Sequence, residues 1–198
     1  MILKAEKLGM RFGKSWVFKN LDFQINPGDR KAILGRNGSG KSTFLKVLAG
    51  FSRATKGTIK WNNNTPISFG FCAPYYDLYE DLTLEQLWDL HSKISDFTLP
   101  LSDLLDKTWL SQKENSEYNS LSSGMKQRFK LGLALFGNEE LIFLDEPTSN
   151  LDKEGKDWYH GILNDIPISK SVVIATNEPH IDLNTSFETL EIASFKNQ

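Results

Sequence analysis

The stretch "GRNGSGKS", Gly35 to Ser42, decides how this 198-residue chain is to be read. It crowds glycines and a lysine into a short segment directly after the apolar run Ala32-Ile33-Leu34. A loop so poor in side chains gives up much conformational entropy on ordering, and a ligand cradled by its backbone would offset that cost. Ahead of it, Lys31 to Leu34 reads as a short strand. Behind it, Lys41 to Ala49 reads as a helix, with Phe44, Leu45 and Leu48 on one face and Gly50 at the C-terminal cap.

Gly35-x-x-x-x-Gly40-Lys41-Ser42 matches the Walker A pattern in the strand-to-helix setting that pattern requires. Glycines let backbone N–H groups turn inward on phosphate oxygens, and the helix N-terminus adds partial positive charge. Lys41 would neutralise the β- and γ-phosphates of a nucleoside triphosphate, and the Ser42 hydroxyl would hold Mg²⁺. About a hundred residues on, Leu141-Ile142-Phe143-Leu144 is an apolar run of buried-strand length ending in Asp145-Glu146. That is a Walker B element: Asp145 reaches Mg²⁺ through water, and Glu146 can orient and deprotonate the attacking water.

Working outward, Leu21 to Ile25 alternates apolar and polar as a half-buried strand does, and Asn26-Pro27-Gly28-Asp29 reads as a turn. Ile67 to Phe71 is expected to be a strand. Thr83-Leu84-Glu85-Gln86 has capping-box spacing, opening a helix with Leu84, Leu87, Trp88 and Ile94 on its apolar side and His91 as a packing histidine. Leu101 to Trp109 is expected as a second short helix, and Lys113 to Ser120 as a polar loop. Phe129, Leu133 and Phe136 mark a helix ending at Gly137. Trp158, Ile162 and Leu163 mark another, and Ser171 to Ala175 a further buried strand. This alternation predicts an α/β P-loop NTPase core with a mainly parallel sheet, an N-terminal antiparallel β portion and a small helical insert. A single domain over residues 1–198 is expected, the helical subdomain at about 80–136.

Composition excludes several classes. Hydrophobic residues make up 39% and charged residues 24%, with a formal net charge of −2, which is ordinary for a globular protein. No basic cluster suggests nucleic acid as a partner. No apolar stretch approaches bilayer length, and the start MILKAEKLGMRF does not read as a signal peptide, so a cytoplasmic location is expected. Cys72 is the lone cysteine, which rules out an intrachain disulfide.

With Walker A and B in place, Leu121-Ser122-Ser123-Gly124-Met125 resembles the signature motif of ABC-type ATPases. It is followed by Lys126-Gln127-Arg128 and lies just before Walker B, as in that family. Ser149-Asn150-Leu151-Asp152 resembles the family's D-loop, Pro147-Thr148 the link to it, and Asp77 to Thr83 the segment after its glutamine loop. The resemblance runs from Leu8 to about Pro179. GTPases would show a DxxG turn and an N-K-x-D guanine reader, which Asp145 to Thr148 and Thr176 to Pro179 do not supply.

The resemblance implies ATP and Mg²⁺ as ligands. ATP would be held by Gly35, Arg36, Asn37, Gly38, Ser39, Gly40, Lys41, Ser42 and Thr43, with Mg²⁺ at Ser42 and Asp145. Adenine would stack on Phe12, with Trp16 the second choice. It further implies a head-to-tail homodimer on ATP binding, in which Ser122, Ser123 and Gly124 of one copy face the γ-phosphate bound by the other. Ser149 and Asp152 would contribute the D-loop. Such a cassette drives separate transmembrane subunits of a transporter from the inner face of the membrane. Cys72-Ala73-Pro74, the short helical lobe and the abbreviated C-terminus resemble compact haem-exporter-like cassettes.

Three positions depart from the family pattern. Asn177 stands where the switch histidine falls, and an amide donates a hydrogen bond but carries no charge; His180 lies three residues on. Phe71-Cys72-Ala73-Pro74-Tyr75-Tyr76 offers no Gln or Glu for the glutamine loop, so water or a backbone carbonyl is expected to substitute. Ser123 and Met125 replace a Gly and a Gln of the signature. Catalysis would then rest on Glu146 and Lys41 with Asn177, and turnover is expected to be slow. The rival reading is a nucleotide-gated interaction module with little turnover.

Overall fold

The computed structural model describes residues 1–62, 67–95, 97–184 and 187–196. Strands β1 (Leu3–Phe12), β2 (Ser15–Ile25) and β4 (Lys56–Trp61) form an antiparallel sheet in the order β2-β1-β4. A parallel sheet holds β3 (Arg30–Leu34), β5 (Gly70–Cys72), β6 (Leu141–Asp145), β7 (Ser171–Thr176) and β8 (Glu188–Glu191), in the order β5-β6-β7-β3-β8. Every residue of β6 and β7 is buried, as central parallel strands covered on both faces require. In β2, Leu21, Phe23 and Ile25 face the core while Asp22 and Gln24 face solvent, so its alternation reads correctly.

Helix α1 (Lys41–Leu48) lies between the two sheets. Its Phe44 ring meets Phe18 and Phe23 edge-on, at 5.2 and 5.4 Å between centroids, and this pair of contacts fixes the antiparallel sheet to the helix that follows the glycine loop. Gly50 follows the C-cap with φ 79°, the left-handed conformation that ends a helix.

The middle of the chain has its own apolar cluster, in which α2 (Leu84–Ile94), α3 (Leu101–Lys107) and α4 (Ser123–Leu135) gather Leu84, Leu104, Leu105, Phe129 and Leu133. Helix α4 belongs to two clusters: Phe129 and Leu133 face this lobe, while Leu131, Ala134 and Leu135 pack against β6 and α5 (Lys153–Asp165). Thr83 caps α2 through a full capping box with Gln86. The His91 ring packs edge-on to Phe97 at 5.1 Å, the packing role expected of it. The four-residue α6 (Pro179–Asp182) follows β7.

Four local expectations need correction. The strand expected over Ile67 to Phe71 is only Gly70–Cys72, because it pairs solely with the Ile142-to-Leu144 segment of β6. Ile94 is 75% exposed and lies off the buried side of α2; helical spacing places a residue on a face but does not say where the lobe ends. The second short helix stops at Lys107, and Trp109 has φ 58°, outside any helix. The stretch expected to be a polar loop contains a 3-10 turn, Tyr118–Ser120, whose Tyr118 is fully buried with its hydroxyl donating to Asp77 Oδ1 at 2.5 Å.

At Gly70 a Cβ would run into the Ala134 carbonyl oxygen of α4, so only glycine lets β5 approach that helix. Gly70→Ala should cost roughly 3 kcal/mol, a fall of about 6–12 °C in melting temperature by calorimetry. An unchanged melting temperature would mean that α4 shifts freely away from the sheet.

Candidate active site

The glycine loop leaves β3 and enters α1 through Gly40, whose φ of 109° lies in the range that disfavours a Cβ. A Cβ there would also strike Val17 of β2. Gly40 gives α1 no side-chain cap, so the first N–H groups of the helix stay available to an anion. Lys41, buried to 3% exposure, donates from Nζ to the carbonyls of Gly35 (2.9 Å) and Arg36 (3.3 Å). It lies 3.7 Å from Glu146 Oε1. A cavity of about 310 Å³ opens over this lysine and is lined by Phe12, Asn37, Gly38, Ser42, Thr43 and Glu146 among others. Phe12, 61% exposed, borders the cavity, whereas Trp16 pairs with Arg11 across the β1–β2 hairpin, 5.6 Å from the guanidinium.

Asp145 ends β6 fully buried. Its Oδ2 accepts a hydrogen bond from the Tyr75 hydroxyl at 2.7 Å, and its Oδ1 is buried without a partner among the described residues. Burial pushes the Asp145 carboxyl above the ordinary range, opposed by the nearby Ser42 hydroxyl, the Tyr75 hydrogen bond and the charges of Lys41 and Lys46. Burial and the neighbouring Asp145 carboxylate push the Tyr75 phenol far up, so it remains a hydroxyl donor. Glu146 follows with φ 44°, rare for a side-chain-bearing residue, while its N–H donates to the Ala175 carbonyl at 2.8 Å. That turn brings the carboxylate of Glu146 to the Lys41 cavity. Strain of this kind persists where surrounding structure over-determines it, commonly at working sites.

Ser122 caps α4, its Oγ accepting from Met125 N at 3.3 Å. Ser122 and Ser123 are exposed, Gly124 is half-buried, and none of the three lines the cavity over Lys41. A Cβ on Gly124 would stand 3.2 Å from the Asn150 carbonyl oxygen, so the signature turn and the following loop touch within one chain. In that loop Asn150 has φ 66°, Ser149 Oγ is buried without a partner among the described residues, and Asp152 caps α5 by accepting from Gly155 N at 2.8 Å. Asn177 is exposed and borders a second cavity, of about 610 Å³, lined by Gly35 to Ser39 and sharing Asn37 and Gly38 with the first. His180 is exposed and does not line it. Among the described residues, a larger concavity of about 1050 Å³ lies over the antiparallel sheet and is lined by no residue of the loop.

Three working contacts escaped the sequence reading. Tyr75, in the segment that lacks the family's glutamine, donates to Asp145 Oδ2. Gln127, buried in α4, donates from Nε2 to the Pro147 carbonyl at 2.8 Å and ties the signature helix to the loop after Glu146. Asp182, 2% exposed, accepts from Thr148 Oγ1 at 2.6 Å and from Thr176 Oγ1, joining the exits of β6 and β7. The last two depend on contacts between segments remote in sequence. Tyr75 carried one signal, an aromatic pair directly after the β5 edge. Cys72 beside them is buried, its thiol pushed up to about 12 by desolvation, in keeping with a packing role.

A family model described as ABC transporter matches residues 18–149, the greater part of the chain. Molybdate import ATP-binding protein MolC of Haemophilus influenzae is 33% identical over 191 residues, covering 90% of this chain and 74% of that protein. Cytochrome c biogenesis ATP-binding export protein CcmA of Rhizobium etli is 28% identical over 200 residues, covering 95% of this chain and 93% of that protein. An ABC transporter solved in an inward-facing conformation is similar with TM-score 0.76 and 30% identity, over 96% of this chain and 78% of that one. The chain spans only 20% and 29% of the length of two further curated relatives.

Proposed function

The chain belongs to the ABC transporter family, and from that premise we propose that it is an ATP-binding, ATP-hydrolysing cassette that energises separate membrane subunits. The observation that carries this reading is the convergence of Lys41, Ser42, Glu146 and Phe12 on one cavity at the N-terminus of α1. In that cavity the N–H groups of the loop and Lys41 hold the phosphates, and Phe12 offers an exposed ring to the adenine. Asp145 Oδ1, without a partner among the described residues, and the Ser42 hydroxyl near it are oxygen ligands that would suit Mg²⁺. Bound there, Mg²⁺ would neutralise charge on the β- and γ-oxygens. Glu146 takes a proton from water as its oxygen attacks the γ-phosphorus and the bond to the β–γ bridging oxygen breaks.

A second copy completes the pocket. Ser122, Ser123 and Gly124 stay away from the Lys41 cavity of their own chain, so a head-to-tail partner is needed to bring them to the γ-phosphate. Ser149 and Asp152 then lie in the loop between the two sites. No helix among the described residues is long and apolar enough to cross a membrane. The reading therefore places the chain at the inner face of a membrane, held by partners that supply the pore. The two curated relatives are named for import and for export, so the likeness carries the motor rather than the cargo.

Calorimetric titration of ATP tests the reading. The native chain should bind ATP with Mg²⁺, and Lys41→Ala should bind about tenfold to hundredfold more weakly through loss of charge-assisted hydrogen bonds to phosphate. Equal affinities would detach the cavity from the nucleotide.

A further inference from the structure

We propose that Tyr75 is a positioning residue for the metal–nucleotide pocket, its hydroxyl fixing the Asp145 carboxylate so that Oδ1 is held ready for the water shell of the cation. The proposal rests on the ATP-binding reading above and assigns a role to a side chain that the family likeness does not explain.

The placement is built into the sheet. Cys72 of β5 pairs with Leu144 of β6, so the segment leaving β5 runs beside Asp145, the next residue of β6. The loop is then pinned. Lys130 of α4 donates to the Tyr76 carbonyl at 3.1 Å, and Tyr76 N donates to the Ala73 carbonyl at 3.3 Å. The Tyr75 ring is held from two sides, by Lys46 Nζ 3.7 Å from its centroid and by the tilted Tyr76 ring at 5.1 Å. Tyr75 is 41% exposed, yet the backbone of the next residue is pinned and its ring has these two neighbours, which limits the freedom of its hydroxyl.

The chemistry follows from the donor count. A tyrosine hydroxyl carries one proton, and an ionised carboxylate only accepts. Donation at 2.7 Å to Oδ2 occupies one oxygen and fixes the plane of the other. Oδ1 has no partner among the described residues although it is fully buried, a costly state unless something else is to bind it. Hydrogen bonds that orient a metal-binding carboxylate commonly change metal affinity by about 10–100-fold when removed. Because a phenol adds no charge, Tyr75 sets geometry and leaves Asp145 as the carboxylate at this place.

Tyr75→Phe keeps the ring under Lys46 and removes only the hydroxyl. Binding of a fluorescent, non-hydrolysable ATP analogue would be followed during Mg²⁺ titration and again in EDTA. The expected result is a Mg²⁺ midpoint raised about tenfold in the variant, with metal-free affinity unchanged within about twofold. An unchanged or lowered midpoint overturns the proposal, and so does an equal loss of affinity with and without the metal, which is the mark of a merely structural residue. If the native chain binds the analogue in neither condition, the ATP reading falls first and the proposal with it. If it binds and the two midpoints agree, only the role of Tyr75 falls.

Discussion

Changing Glu146 to Gln should lower ATP turnover by about 10²–10⁴-fold while ATP still binds, and sedimentation of the variant with ATP should reveal a dimer. Gln matches Glu in shape and reaches the same cavity, but its amide does not accept a proton from water. The φ of 44° at this position is no harder for Gln than for Glu, so the fold should survive. Lys41 loses its neighbour at 3.7 Å, yet that pair is loose and Glu146 is 32% exposed, so little stability goes with it. Removing a negative charge beside the bound γ-phosphate should if anything tighten ATP. A filled pocket that does not turn over keeps the signature turn of the second copy engaged, and the dimer accumulates. Unchanged turnover would mean that water is activated elsewhere. A variant that stays monomeric at saturating ATP would mean that one chain builds its pocket alone.

What was legible in the sequence was local. The glycine loop, the apolar runs of β6 and β7, and the capping box at Thr83 each declare themselves within a few residues, because backbone conformation and burial of a central strand are set by composition at short range. Ile94 and Tyr118 were misplaced because burial at the rim of the helical lobe depends on which segments fold over it. Periodicity carries no information about that. The contacts of Tyr75, Gln127 and Asp182 lay beyond reach for a related reason. Each joins a side chain to a partner remote in the chain, at Asp145, Pro147 and Thr148. The motifs are enough to find the groups that line the cavity over Lys41; the hydrogen bonds that hold neighbouring groups in place depend on the sheet order β5-β6-β7, which no single segment encodes.

Asn177→His should raise ATP turnover, by roughly tenfold to hundredfold, the magnitude of adding one well-placed donor or proton carrier to a reacting phosphate. Position 177 is held from behind. Thr176 donates to buried Asp182, and Glu178 N donates to Thr176 Oγ1 at 2.8 Å, so the intervening side chain projects from a fixed stem at the end of β7. It borders a cavity that shares Asn37 and Gly38 of the glycine loop with the cavity bordered by Lys41 and Glu146. From there imidazole extends further than an amide toward phosphates held by the loop. The pH profile separates the two ways it can help. An ordinary imidazole is cationic below about 6.5, so a gain that comes from charge is present in acid and fades as pH rises through that value. A gain that comes from a neutral N–H donor persists to pH 8. The native amide titrates nowhere in this range, so a step present in the variant and absent from the native chain assigns the effect to position 177. If the native chain does not exceed the buffer blank and Asn177→His does not rescue it although both bind ATP, the chain is a nucleotide-gated partner rather than a motor.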